Sequence, residues 1–206
     1  MNFPSVPYSD PAAYFAAYAE RLAKAAASVR PEALAAAAAL MADAMERDAQ
    51  IYVCGNGGSA AIANHLVCDC VKSIQTDTEL KPRVHSLSSN VPFMTAVAND
   101  ISYAEVFAYQ LKSYGRPGDL LLTISSSGDS ENIVRAIAAA HDIGMASIAF
   151  SGFSGGRSAQ MAQTVLHVDS DNYGVVEDVH QSLMHALAQF IRQSKMPAEL
   201  VATRRF

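Results

Sequence analysis

His65 and Asp69 stand four residues apart in a stretch of helical composition, so their side chains face one way. A second group lies far along the chain, where Glu177-Asp178-Val179-His180 is followed by His185. Each pair alone is an ordinary helix-surface feature. Together, His65, Asp69, an acidic residue at 177 or 178 and His185 make a set of two imidazoles and two carboxylates. Nitrogen and oxygen donors of this kind suit Zn²⁺ or a similar divalent ion. Helical geometry favours Asp178 over Glu177 as the fourth member. Seven residues leave about a 20° offset from His185, and eight leave about 80°.

Two loops point to a phosphate. The first is Gly55-Asn56-Gly57-Gly58-Ser59, after an apolar run and before a helix. Glycines allow close backbone approach, and the free N–H groups and positive dipole end of a helix start favour an anion. With Ala60 the loop also satisfies Gly-x-Gly-x-x-Ala. The dinucleotide reading fails because the next strand ends in Leu87-Ser88-Ser89-Asn90, without the acidic residue that a ribose needs. The second loop is Ser125-Ser126-Ser127-Gly128-Asp129-Ser130, again opening a helix. One helix cap, from Asp129 or Ser130, does not require four serines, whereas each hydroxyl can donate to a phosphate oxygen.

The elements that must position these residues follow from the change of period along the chain. Residues 1–10 hold two prolines and read as an irregular arm. Residues 11–29 and 31–47 are Ala-rich and read as helices, with Pro31 suited to a first turn. Tyr14, Tyr18 and Leu22 form one stripe, and Leu34, Met41 and Met45 another. These cover the core or, because two helices ahead of the first strand cannot all lie on one small sheet, pack on another subunit. Strands are expected at Gln50–Cys54, Val84–Leu87, Asp119–Ile124, Met145–Phe150 and Val165–Val168. Helices are expected at about 59–74, 91–114 with a break near Asn99, 130–142, 157–163 and 176–194. Alternation of this kind means a five-stranded parallel sheet flanked by helices in three layers, an α/β fold with an N-terminal helical extension. Ligands then bind beyond the carboxyl ends of the strands, where both loops fall. A single domain over 1–206 is expected, with the extension at 1–48 and the α/β core at 49–195.

Composition narrows the function classes. Half of the 206 residues are hydrophobic and 17% are charged, as in a globular chain with a sizeable core. A formal charge of −5 without a Lys/Arg run gives no nucleic-acid surface. No apolar stretch is long enough to span a membrane, and no signal peptide is apparent. Three cysteines, Cys54, Cys68 and Cys70, do not form a disulfide framework and fit a reducing, cytoplasmic compartment. Cys54 reads as a small buried hydrophobe.

The chain resembles the sugar isomerase (SIS) domain family, and within it the sedoheptulose-7-phosphate isomerases. The matching residues are Cys54 to Ser59, His65, Ala98-Asn99-Asp100, Gly118 to Ser130, His180 and His185. The resemblance spans about residues 11–194. It implies a flavodoxin-like sheet and a homotetramer with helical packing between subunits. It implies phosphate binding by Ser125, Ser127 and Ser130, with Ser126 lining the site. Asn56, Gly57, Gly58, Asn99 and Asp100 would contact the sugar, with Ser59 and Glu177 beside them. The zinc ligands would be His65, Asp69, Glu177 and His185, so the resemblance prefers Glu177 where helix spacing prefers Asp178. Family isomerases carry Glu where this chain has Asp69, Gln where it has Glu177, and Arg where it has Ser73. The implied reaction is aldose–ketose isomerisation of a heptose phosphate through an enediol, with Asp69 as the carbon base and His185 as the partner acid/base. The alternative is a non-catalytic SIS protein that binds a protein partner or senses a sugar phosphate.

Overall fold

A computed structural model describes residues 3–206. Met1 and Asn2 of the expected arm lie outside the described residues. The order of elements is α1 (Pro11–Ala26), α2 (Pro31–Glu46), β1 (Gln50–Gly55), α3 (Gly58–Cys68), β2 (Arg83–Ser86), α4 (Val91–Asp100), α5 (Ala108–Tyr114), β3 (Leu120–Ser125), α6 (Glu131–Ile143), β4 (Ala146–Ser151), α7 (Gly156–Met161), β5 (Thr164–His167), α8 (Tyr173–Lys195) and α9 (Ala198–Val201). The five strands form one parallel sheet in the order β2-β1-β3-β4-β5. The chain reverses its direction of winding between β1 and β3. In doubly wound sheets the ligand crevice opens at that switch point, beyond the strands' carboxyl ends.

The pleat divides the strand residues between two cores. Ile51, Val53, Leu120, Leu122 and Ile124 face α2, α3 and α8. Tyr52, Cys54 and Leu121 face the opposite way, with Leu87, Val106, Phe107, Leu111, Ile133 and Ile137. This alternation is the period-2 signature of a strand covered on both faces. Cys54 is fully buried, and desolvation pushes its thiol pKa up, as befits a small core residue.

Three differences from the sequence reading have physical causes. Met41 and Met45 of α2 are buried within the chain's own core, and Leu34 packs against it. The α2 stripe therefore covers this sheet rather than another subunit, while α1 packs outside it along α8. The expected single helix at 59–74 is α-helical only to Cys68. It continues as a π-helical turn over Asp69–Ile74, which buries Cys70 and Ile74 completely. Such turns recur at functional sites. Finally, α8 starts three residues early because the Asn172 side chain accepts a hydrogen bond from the Val175 N–H, a regular N-cap.

Candidate active site

The first loop leaves β1 at Gly55 and turns into α3. Gly57 has φ 53° and ψ −122°, a conformation L side chains rarely adopt. A Cβ there would meet nothing within 4 Å, so the loop backbone faces open space. The second loop leaves β3 at Ser125, beside the first, because Gly55 pairs with Ile124 in the sheet. The Ser125 side chain and main-chain oxygens both accept from the Gly128 N–H at 3.2 Å. The Ser127 hydroxyl accepts from the Asp129 N–H at 3.3 Å. Gly128 has φ 66°, and a Cβ there would overlap the Gly155 carbonyl oxygen, so a side chain has no room.

Ser130 occupies the N-cap of α6, yet its side chain makes no capping bond. Asp129, the other candidate cap, is held instead by Arg157, Nε to Oδ1 at 2.5 Å. That guanidinium lowers the Asp129 pKa and also pairs with Glu131, Nη1 to Oε2 at 2.9 Å. The first-turn N–H groups of α6 and the Ser130 hydroxyl are thus left without a side-chain cap, which suits a bound anion. Ser126 is buried, and its hydroxyl has no hydrogen-bond partner.

Helix α3 leads from the first loop to His65 and Asp69, and α8 brings His185 against them. His185 Nδ1 lies 2.7 Å from Asp69 Oδ2, and His65 Nε2 lies 3.4 Å from Asp69 Oδ1. The two imidazole rings meet edge to face at 4.8 Å between centroids. Gln181 closes the group: its Nε2 is 2.8 Å from His185 Nε2 and 3.2 Å from His65 Nδ1. One set of tautomers satisfies every contact. Each ring carries its proton on the nitrogen facing Asp69 and accepts from Gln181 with the other. Donor atoms of His65, Asp69 and His185 all lie within 4.8 Å of one another. Two imidazoles and one carboxylate match the donor set of catalytic zinc sites, so these residues fit a divalent ion.

The expected fourth ligand stands apart. Glu177 is two turns of α8 before His185, and its carboxylate lies over Gly58, where a Cβ would come 2.5 Å from Oε2. Burial raises the Glu177 pKa, with the Asp178 charge adding to the shift. Asp178, favoured by helix spacing, is turned toward α1 and accepts from the Tyr18 hydroxyl at 2.6 Å. Burial and that bond push the Tyr18 pKa upward. Asn99 and Asp100 are exposed at the end of α4 and bonded to each other, Nδ2 to Oδ1 at 2.7 Å. His180 is fully buried away from the cluster, edge-on to Phe150, with neither ring nitrogen in a hydrogen bond. Desolvation pushes its pKa down to about 4.

Sequence reasoning missed three residues. Gln181 is one helical turn before His185, which was a usable signal. Asn132 and Tyr103 converge on Asn56. Asn132 follows directly on the serine loop, but nothing in the local pattern pointed to Tyr103.

Residues 13–152 match the SIS domain family. The chain is 39% identical over 165 residues to a phosphoheptose isomerase from Alkalilimnicola ehrlichii, covering 79% of this chain and 84% of the relative. A solved phosphoheptose isomerase from Neisseria gonorrhoeae superposes with a TM-score of 0.79 at 34% identity, covering 87% of this chain and 95% of that one. Another from Francisella tularensis gives 0.81 at 34% identity, over 88% and 96%. The Vibrio vulnificus NanR protein shares the fold at 14% identity, with a TM-score of 0.66. With its sheet order, its paired loops and the match over most of its length, this chain belongs to the SIS domain family.

Proposed function

We propose that this chain is a phosphoheptose isomerase, interconverting sedoheptulose 7-phosphate and D-glycero-D-manno-heptose 7-phosphate, a precursor of surface-polysaccharide heptose. The observation that carries the reading is the Asp69–His185 contact, with His65 alongside, on a helix that starts at one of two paired anion-binding loops. The kinship with named phosphoheptose isomerases supplies the substrate class.

Isomerisation shifts a proton between C1 and C2 while the carbonyl oxygen changes place. In the ketose-to-aldose direction, the Asp69 carboxylate takes a C1 proton and His185 gives a proton to the C2 oxygen, forming the enediol. Asp69 then returns its proton to C2, and His185 takes the proton from the C1 hydroxyl as the aldehyde forms. In the resting protein the two groups share a hydrogen bond, which keeps both aimed at one point and gives way when C1 and C2 enter. Ser125, Ser127, Ser130 and the start of α6 hold the phosphate at the far end, which fixes orientation. Asn56, Gly57, Gly58 and Ser59 line the sugar path, with Asn99, Asp100 and Glu177 at its margins.

His65, Asp69 and His185 would hold a divalent ion, Zn²⁺ being the assignment that imidazole and carboxylate donors favour. Such an ion polarises a carbonyl and stabilises negative charge beside it. The protein is further assigned to the cytoplasm as a homotetramer, on its resemblance to the family and its free thiols. Among the described residues, no helix is long and apolar enough to cross a membrane.

The test is to incubate the purified protein with sedoheptulose 7-phosphate, with and without added Zn²⁺. An aldose product that is lost on chelation and restored by metal supports the whole reading. Absence of aldose under every metal condition refutes the isomerase.

A further inference from the structure

The amide of Asn56 is almost fully occupied before any sugar arrives. Its Oδ1 accepts from Asn132 Nδ2 at 2.9 Å and from the Tyr103 hydroxyl at 2.8 Å. Its Nδ2 donates to Asn132 Oδ1 at 2.9 Å. A carboxamide has two acceptor lone pairs and two N–H donors. Both lone pairs and one N–H are therefore spoken for, and a single N–H remains.

The clamp is built, not incidental. Asn132 is 2% exposed on the first turn of α6, immediately after the serine loop, and its reciprocal pair with Asn56 ties the two ligand loops together. Tyr103 belongs to a short 3₁₀ turn, Tyr103–Glu105. Glu105 is held by Arg135 of α6, Nη1 to Oε1 at 2.7 Å, so the hydroxyl is anchored to the same helix as Asn132. Tyr103 is otherwise 54% exposed, which leaves its ring little packing role.

We infer that Asn132 and Tyr103 are positioning residues that restrict Asn56 to one N–H donor for an oxygen of the bound sugar and lock its direction. This rests on the sugar-phosphate reading of the site. Its consequence is selectivity: the Asn56 amide takes a lone pair, from a hydroxyl or carbonyl oxygen, and itself offers no acceptor in return.

A double-mutant cycle tests it with Tyr103→Phe, Asn56→Ala and the pair, reading KM and kcat, the calorimetric Kd for sedoheptulose 7-phosphate, and the Kd for inorganic phosphate. Tyr103→Phe is expected to raise KM and the sugar Kd by about 3- to 10-fold, the worth of one hydrogen bond. The kcat should stay within about 2-fold, and phosphate affinity should not change. In the Asn56→Ala background the same substitution should change neither KM nor Kd. Equal effects in both backgrounds, an unchanged KM and Kd, or an equal loss of phosphate affinity would overturn the clamp. The arms separate the two proposals. Binding without turnover in the unaltered protein refutes the isomerase while Kd still reads the clamp, and absence of sugar-phosphate binding refutes both.

Discussion

The two ends of the candidate site are built on different principles. The serine loop at Ser125–Ser130 is local: six consecutive residues bend over their own backbone, with Gly128 wedged against Gly155 and Asp129 pinned by Arg157. The groups proposed to bind the anion there are hydroxyls and helix N–H groups of the loop itself. The His65–Asp69–His185 group is assembled across the fold: the Asp69–His185 bond joins residues 116 positions apart, on a π turn and on α8. The first end depends on turn geometry, braced by Gly155 and Arg157 from the α7 segment. The second depends on how α3 and α8 pack, and its chemistry is the more easily lost.

The largest expected effect falls on the assembled end. Asp69→Asn removes the proposed carbon base and should lower kcat by about 100-fold or more, with the sugar-phosphate Kd changed far less. Equal losses in kcat and binding would break the contrast between the ends. At the local end, Ser130→Ala should do the reverse, raising KM by about 10-fold with little change in kcat, because the hydroxyl is proposed to meet the phosphate and not the reacting carbons. A fall in kcat alone would show that the loop acts on the chemistry.

The same contrast explains what the sequence made legible. The glycine and serine loops and the five strands could be read because each lies within one short segment. His65 and Asp69 were readable as an i, i+4 pair. The fourth member of the group was not, because Glu177, Asp178 and Gln181 share one helix, and only its rotation against α1 and α3 decides which faces the imidazoles. Helix spacing marked Asp178 as the same-face choice, but Tyr18 on α1 claims that carboxylate. The π turn at Asp69–Ile74 had no signature in the residue pattern. Asp69 is a methylene shorter than the Glu of family isomerases, and the structure nonetheless brings its carboxylate into contact with His185.

An effect on stability rather than on activity concerns the core. His180 is buried with its pKa lowered to about 4. The unfolded chain protonates this ring near its usual pKa of about 6.5, and the folded chain only near 4. Between these values the unfolded state binds more protons, so stability is complete above about pH 6.5 and falls as pH drops toward 4, by roughly 2–3 kcal/mol. His180→Leu should flatten that segment of a denaturation-versus-pH profile, and an unaltered slope would contradict the assignment. The smallest effect is expected from Arg157→Ala, an exposed partner of Asp129 and Glu131. It should weaken phosphate binding only about 2- to 3-fold and leave stability nearly unchanged.

The account turns on Asp69 and His185 moving one proton between adjacent carbons. The direct measurement is NMR of sedoheptulose 7-phosphate in D₂O with the Zn²⁺-supplemented protein. The unaltered protein should produce the aldose, with deuterium at C2 in those turnovers in which the Asp69 carboxyl exchanges with solvent before it returns the proton, and Asp69→Asn should produce neither aldose nor label. Aldose formation by Asp69→Asn at the unaltered rate, or no aldose from the unaltered protein, would contradict it.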